Sequence, residues 1–342
     1  MNKGYKQNEI SQSYLKNKKS DLAIREKKIL NEISSKLGFI PQKSGSRSRW
    51  WTSKAIGAFT YQGIYEGKKA IIKIQGVKPI TSEINLIKSF EKNNQSKIIR
   101  PPYLYAYSKW DEKLNYEALV LEDVGHKKVI NSPTQKDEIA EFFKIYYEYK
   151  NNCLVNPWTL KPKESLSEMT KNSFDSWKKI TLDLFPNHPL RQAMDLELIN
   201  KSIKLLVFNY QNIEPEFMHG HFSANDLIKV GNEITLRSNL YWSWRNPFRD
   251  AVFAYHWFFY YLSSVENITE KQVEEQKSMW LNIIYEIPKN KNEVKLIKLA
   301  LLERATAGLN LDALSIDPKK KISAYLVSQT RKDVIKLYDE LS

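Results

Sequence analysis

The chain has 342 residues, of which 42% are hydrophobic and 12% are aromatic, and its formal net charge is +14. This apolar content is enough for a large buried core and excludes disorder over most of the chain. No run approaches a length of about 18 apolar residues, and the basic N-terminal stretch contains no apolar segment, so we predict neither a membrane span nor a secretory signal. The single cysteine, Cys153, cannot form an internal disulfide and favours a reducing, cytoplasmic compartment.

The positive charge has two interpretations. It is typical of a lysine-rich solvated surface, and it is also typical of a protein that attracts nucleic acid or phosphorylated ligands. The sequence contains no zinc-finger spacing, RNA-binding aromatic signature or basic zipper. A basic nucleic-acid-binding protein is therefore kept only as the second alternative function.

The first elements in chain order are a helix and then strands. Residues 20–38 combine apolar side chains at helical spacing with a closing glycine, which is typical of a helix end. Residues 1–45 are therefore predicted to be a helical extension that docks on the back of the domain. From residue 46 the pattern changes to strands, with a hairpin around the turn at 66–69.

A lysine and a glutamate follow at a spacing that has chemical meaning. Lys73 lies in an apolar strand pattern, and Glu83 lies early in the next helix pattern. The lysine alone is equally typical of the solvent face of an edge strand. Together, a strand lysine and a nearby helix glutamate form the ion pair that positions nucleotide phosphates in kinases. Gly57 and Gly63 bracket a segment that could arch over the same phosphates, because glycine lets backbone N–H groups approach an anion.

Two further strand patterns, at 103–107 and 117–121, complete a β-rich nucleotide-binding lobe that we assign to residues 46–125. The second pattern runs into Glu122, Asp123, Val124 and Gly125. An extended chain at this point exposes backbone groups that can bind the edge of an adenine, so Glu122 and Val124 are candidate nucleotide-binding positions through their backbone.

Residues 126–342 are assigned to a second, helical lobe. Helical patterns cover 137–151, 168–184, 195–208, 251–265, 271–285, 292–306 and 320–341. His188 follows a loop pattern and is predicted to be exposed to solvent, whereas His256 lies in an apolar helix and is predicted to be a core histidine.

The stretch 217–250 interrupts this helical lobe. Gly220 allows an abrupt turn between His219 and His221, and two short strand patterns then flank the turn Gly231-Asn232. A hairpin whose ends carry polar residues can hold two groups side by side over one cavity, which favours a site for a charged ligand.

The order of these parts resembles the protein kinase-like fold of the aminoglycoside phosphotransferase and choline kinase family. The resemblance spans about residues 56–250, and its carriers are Gly57, Gly63, Lys73, Glu83, LVLEDVG at 119–125, HGHFSANDLIKV at 219–230 and NPFRDAVF at 246–253. It implies an α+β, bilobal fold with a β-rich N-terminal lobe and a mainly helical C-terminal lobe. It also implies that ATP binds between the lobes and that Mg²⁺ accompanies it.

The catalytic loop of that family reads His-Gly-Asp, four more residues, Asn and an apolar strand, and this chain departs from it. The resemblance puts His221 at the catalytic aspartate, Asp226 at the metal-binding asparagine, and Ser238 or Asn239 at the second metal-binding aspartate. A neutral imidazole can take the proton of an acceptor hydroxyl near pH 7. Asp226 offers Mg²⁺ a hard oxygen, whereas Ser238 and Asn239 are poor replacements for a carboxylate.

The same resemblance makes His219 structural and makes Asp250 a brace for the catalytic loop. The segment 241–245 is interpreted either as a wall of the acceptor site or as the packed start of the next helix, with packing favoured.

Two hypotheses of function follow. The first is an ATP-dependent phosphotransferase that acts on a hydroxyl of a small molecule, with His221 and Asp226 as catalytic residues and Asp226, Ser238 and Asn239 around the metal. The second is a catalytically inactive pseudokinase that serves as a nucleotide-binding or protein-interaction module, because both aspartates are replaced.

Overall fold

The computed structural model describes residues 21–48, 58–130, 136–185, 187–192 and 195–342. Gly57, one of the predicted phosphate-loop glycines, lies outside the described residues. The N-terminal elements, in chain order, are α1 (Asp21–Leu37), β1 (Phe39–Ser48), β2 (Ala58–Tyr65), β3 (Lys68–Gln75), α2 (Glu83–Asn93), β4 (Ile99–Arg100), β5 (Leu104–Asp111) and β6 (Tyr116–Glu122).

The C-terminal part is mainly helical. Its helices are α3 (Lys136–Asn152), α4 (Leu166–Leu184), α5 (Pro189–Gln192), α6 (Leu196–Asn209), α7 (Arg249–Tyr261), α8 (Glu270–Glu286), α9 (Lys291–Asn310) and α10 (Lys321–Leu341). Its short strands are β7 (Glu216–Met218), β8 (Leu227–Val230), β9 (Glu233–Leu236) and β10 (Ser243–Arg245), and a short 3-10 turn spans Asn239–Tyr241. The fold is thus α+β and bilobal, as predicted.

The N-terminal sheet is antiparallel, with strand order β1-β2-β3-β6-β5. The predicted hairpin is confirmed: β2 and β3 are joined by Glu66 and Gly67, which both have positive φ angles, of 46° and 75°. A two-residue turn with both φ angles positive matches the twist of the flanking strands.

Gly63 serves this sheet. It lies within β2, opposite Pro41 on β1 and Ala70 on β3, and a Cβ there would come within 2.1 Å of the Ile40 carbonyl oxygen. Residues 58–63, the described part of the segment that was predicted to arch over phosphates, are extended in β2, which pairs with β1 and β3.

Helix α1 packs against one face of the sheet. Ile29, Leu30 and Ile33 are buried in one cluster with apolar side chains of the strands. The first strand begins at Phe39, inside the stretch 1–45 that was assigned to the helical extension. Phe39 is itself buried in that cluster, so the chain joins the sheet core as soon as the helix ends.

The C-terminal lobe has its own core, and helix α7 runs through it. Ala251, Val252 and Ala254 on this helix are fully buried, which agrees with its predicted apolar surface. His256 is buried as predicted. None of the described helices is long and apolar enough to cross a membrane.

His188 corrects a prediction. It is 1% exposed rather than solvated, and its Nδ1 accepts a hydrogen bond from the Leu190 backbone N–H at 3.2 Å. Burial lowers the pKa of His188 to about 4. The hydrogen bond from Leu190 ties the His188 ring to the start of α5. A loop pattern in the sequence does not show such a contact.

Candidate active site

The predicted lysine–glutamate pair is formed in the N-terminal lobe. Lys73 Nζ lies 2.5 Å from Glu83 Oε2, across the short connection between β3 and α2. The Gln75 side-chain amide donates to the same oxygen at 2.8 Å. Glu83 is 2% exposed and Lys73 is 21% exposed, so the carboxylate is fixed while the ammonium still reaches solvent. The alternative of an unengaged lysine on an edge strand is excluded.

The predicted hairpin in the C-terminal lobe is also formed. Strands β8 and β9 pair in antiparallel register around Gly231, whose φ angle is 60°. Asp226 immediately precedes β8, and Ser238 follows shortly after β9, so the pairing of the strands returns the chain to the same point. Ser238 itself adopts left-handed backbone angles, with φ 60° and ψ 39°.

Asp226 is the hub of this hairpin. Its Oδ2 lies 2.7 Å from His221 Nδ1 and accepts a hydrogen bond from the Ser223 hydroxyl at 2.6 Å. Its Oδ1 accepts a hydrogen bond from the Ser238 hydroxyl. Burial raises the pKa of Asp226, but the charge and hydrogen bond of His221, with a smaller contribution from Ser223, outweigh burial and lower the pKa to about 2. The ionised carboxylate can only accept a hydrogen bond, so His221 Nδ1 carries a proton.

The low pKa of Asp226 makes a contribution to stability that depends on pH. Its folded value of about 2 lies below the ordinary 3.8, so the contribution is present above pH 4 and is lost as the pH falls towards 2. We expect the difference in unfolding free energy between the wild type and Asp226→Asn to shrink by on the order of 2 kcal/mol over that range. Urea unfolding at several pH values measures it.

The control for this experiment is Asp175→Asn, since Asp175 is 58% exposed and forms only a surface pair with Lys171. Its difference from the wild type should stay constant within a few tenths of a kcal/mol. A pH-independent difference for Asp226→Asn as well would contradict the buried, ionised state of that carboxylate.

The turn before His221 is stabilised by hydrogen bonds to Asp250 and Tyr149. Asp250 Oδ2 accepts hydrogen bonds from the Tyr149 hydroxyl at 2.8 Å and from the Gly220 N–H at 3.3 Å. The Tyr149 oxygen in turn accepts from the His219 N–H at 2.6 Å. Asp250 therefore occupies the bracing position that the resemblance implied, and the fully buried His219 lies in the structural layer beneath the loop.

Gly220 is the residue on which the turn depends. Its φ angle is 75°, and a Cβ there would lie 2.8 Å from the Tyr241 carbonyl oxygen. We expect Gly220→Ala to lower the unfolding free energy by about 2–4 kcal/mol, because strain and a backbone clash add. Gly231→Ala is the matched control: its φ is also positive, but no atom lies within 4 Å, so only about 1 kcal/mol should be lost. Equal losses in urea unfolding would contradict the close approach at Gly220.

Tyr241 joins the two halves of the site. Its ring stacks on His221, with centroids 4.6 Å apart and planes 17° apart. Burial, then the charges of Asp226 and Glu83, raise the pKa of Tyr241 to about 12. Helix α2 also contacts the 3-10 turn that contains Tyr241. Helix α2, which begins at Glu83, is thus packed against the turn that places Tyr241 on His221.

In the segment 241–245, Trp242 and Tyr241 face different surroundings. Trp242 is buried and its ring lies 4.8 Å from that of Phe90 on α2, which is the favoured packing role. Tyr241 faces His221 instead, together with Phe253 and Trp257, whose ring centroids lie 4.5 and 5.6 Å from that of His221.

The predicted metal ligands do not assemble into a metal site. Asp226 uses both oxygens on His221 and two hydroxyls, and the Asn239 side-chain oxygen accepts from the Trp242 indole N–H at 2.9 Å. Across the described ranges, no group of three or more His, Cys, Asp or Glu side chains could hold a metal ion. Within the described residues, Asp226, Ser238 and Asn239 therefore form no ready-made Mg²⁺ site.

The segment after β6 connects the lobes. Glu122 forms a two-pronged ion pair with Arg100, at 2.7 and 3.1 Å, so its carboxylate is occupied. Val124 is 7% exposed. The predicted nucleotide contacts at these two positions are thus restricted to backbone groups.

Two basic residues near this segment were missed by the sequence analysis. Lys128 Nζ donates to Asn225 Oδ1 at 2.5 Å, and Arg237 donates to the Gly125 carbonyl at 3.4 Å. Burial and the nearby charge of Arg237 lower the pKa of Lys128, while Asp226 opposes them. Arg237 directly precedes Ser238, a predicted metal position, and this adjacency was the signal in the sequence that could have identified it.

Comparison with known proteins supports the fold. No protein-family model matches the sequence, and no curated protein matches it. Among solved structures, an amicoumacin kinase in complex with AMP-PNP and Ca²⁺ is similar, with a TM-score of 0.56 and 12% identity over 94% of this chain and 96% of that chain. A choline kinase from Cryptosporidium parvum has a TM-score of 0.55 and 11% identity over 92% and 96%.

A thermostable aminoglycoside phosphotransferase is similar as well, with a TM-score of 0.54 and 8% identity over 91% of this chain and 98% of that chain. At such low identity these similarities concern the fold. The chain therefore has the protein kinase-like fold that is shared by aminoglycoside phosphotransferases, amicoumacin kinase and choline kinase.

Proposed function

We propose that this protein transfers the γ-phosphoryl group of ATP to a hydroxyl of a small molecule. The observation that carries the proposal is that helix α2, which begins at Glu83, contacts the 3-10 turn whose Tyr241 stacks on His221. Kinase-like folds catalyse phosphoryl transfer mainly by positioning and by neutralising charge. Similar structures were determined with AMP-PNP, or with ADP and hygromycin B, which supports a nucleotide and a small acceptor as ligands.

Each pair has a role in the proposed reaction. Glu83 holds Lys73, and Lys73 binds the phosphates. Asp226 orients His221, whose Nε2 takes the proton of the acceptor hydroxyl. The acceptor oxygen forms a bond to the γ-phosphorus as the bond to the β–γ bridging oxygen breaks, leaving ADP and the phosphorylated acceptor. Mg²⁺, when it accompanies ATP, neutralises phosphate charge, and the chain's own donors contribute little to holding it.

A pseudokinase is the second candidate, and a specific observation favours it. The catalytic aspartate and the metal-binding aspartate of the family are both replaced, and Asp226 is fully engaged in hydrogen bonds. Such a protein would bind nucleotide without turning it over.

ATP binding and ADP release separate the two candidates. Binding is measured by calorimetry with Mg²⁺ and with EDTA, and ADP release is then measured over a panel of hydroxyl-bearing acceptors. The proposal predicts binding and acceptor-dependent ADP release. Binding with no turnover for any acceptor would favour the pseudokinase, and absence of binding would contradict the phosphotransferase and leave only a pseudokinase that acts as a protein-interaction module.

A further inference from the structure

Arg245 lies directly against the catalytic loop. It ends β10, and its Nε is 3.8 Å from the position that a Cβ on Gly220 would take. Gly220 directly precedes His221, so the Arg245 side chain contacts the turn that carries the proposed base. Its Nε donates to the Ser243 hydroxyl at 3.0 Å.

Arg245 differs from the arginines around it. Its two neighbours each have a carboxylate within direct contact: Arg249 with Glu303 at 2.8 Å and Arg304 with Asp312 at 2.6 Å. In the part of the chain that the structure describes, Arg245 has no carboxylate ion-pair partner. Its remaining N–H groups are not fully buried, so they reach solvent.

The charge of Arg245 is only partly compensated. Burial lowers its pKa, and the more distant charges of Glu303 and Asp250 oppose this. A guanidinium stays charged in proteins and carries five N–H donors, of which one is used here. A half-buried charge with free donors beside a base is arranged to receive an anion, and its planar fork matches a carboxylate or a phosphate.

The carboxylates near His221 do not favour a cationic ligand. Asp226 and Asp250 are both buried, and each accepts hydrogen bonds from the chain itself. We propose that Arg245 binds an anionic group, a carboxylate or a phosphate ester, on the acceptor whose hydroxyl is phosphorylated. The identity of the group as part of an acceptor rests on the proposed function, whereas the binding of the anion does not.

Four related probes test this inference: gluconate, glucose 1-phosphate, glucose and glucosamine. Their affinities for the full chain are measured without nucleotide in the wild type, in Arg245→Gln and in a control, Arg331→Gln, which removes one exposed positive charge elsewhere. We expect gluconate or glucose 1-phosphate to bind the wild type about 10- to 100-fold more tightly than glucose, and which of the two binds shows whether the group is a carboxylate or a phosphate ester. Arg245→Gln should abolish this preference and Arg331→Gln should keep it.

Tighter binding of glucosamine, equal binding of all four probes, or an unchanged preference in Arg245→Gln would overturn the inference. Arg245→Lys keeps the charge without the fork and should retain part of the preference. If Arg245→Gln does not fold, the inference is tested by two results: the preference of the wild type for an anionic probe over glucose, and the weakening of that preference in Arg245→Lys.

Adding ATP separates the two proposals. Anion preference without ADP release would leave the anion site standing and contradict the phosphotransferase. ADP release with glucose or glucosamine but with neither anionic probe would support the phosphotransferase and overturn the role of Arg245.

Discussion

Replacement of Lys73 by alanine is expected to lower kcat/KM for ATP by about 100-fold or more, because it removes the fixed positive charge that holds the transferring phosphates. The ammonium lies 2.5 Å from a glutamate that is 2% exposed, so its position is determined by the fold. ATP affinity should fall together with turnover. Calorimetry and ADP release measure the two effects separately.

Lys78→Ala is the matched control for this prediction. Lys78 lies in the same lobe, is 59% exposed and pairs with Glu112 on the surface. Its loss should leave kcat/KM within about twofold, since surface ion pairs contribute little. Equal ATP affinity in Lys73→Ala and in the wild type would mean that the nucleotide binds elsewhere.

Replacement of His221 by alanine is expected to lower kcat by about 10²- to 10⁴-fold, the range for loss of a general base. ATP affinity should change by no more than about twofold, because the proposed contact of this side chain is with the acceptor hydroxyl. Steady-state ADP release and equilibrium ATP binding on the same preparation separate these quantities. A fall in kcat with ATP affinity retained indicates loss of the base, whereas a fall in both indicates loss of the fold.

Asp226→Asn tests how His221 acts. The amide that replaces the carboxylate no longer fixes the proton on Nδ1, so kcat should fall while ATP affinity is kept. Turnover that is unaffected by His221→Ala would exclude the imidazole as the base.

Local pattern was sufficient for most of the fold. The pattern at 137–151 predicted a helix that is observed at Lys136–Asn152, because apolar side chains at helical spacing are the residues that the core needs. The hairpin around Gly231 was predicted for the same kind of local reason. The Lys73–Glu83 pair was predictable because only a short connection separates its two residues.

Contacts that depend on folding were not predictable. Asp226 was expected to bind metal, yet its oxygens are engaged by residues from both sides of the hairpin, including Ser238 after β9. Gly63 was predicted to lie near phosphates, but the approach of β1 explains its lack of a side chain. His188 was expected to be exposed because a short loop pattern does not show the contacts that bury its ring, among them that with Phe185.

The role of Arg245 depends on contacts of the same kind. In the sequence it is one of 53 basic residues. Only the pairing of β10 with β7 places it against the loop of Gly220. Charge composition could not distinguish this arginine from the solvated lysines of the surface.

A crystal structure of the full chain with AMP-PNP and magnesium tests the central claim most directly. We predict that the phosphates lie against Lys73, with the γ-phosphate on the side that faces His221 and Tyr241. A nucleotide bound outside this space, or Lys73 and His221 on separate surfaces, would contradict the claim.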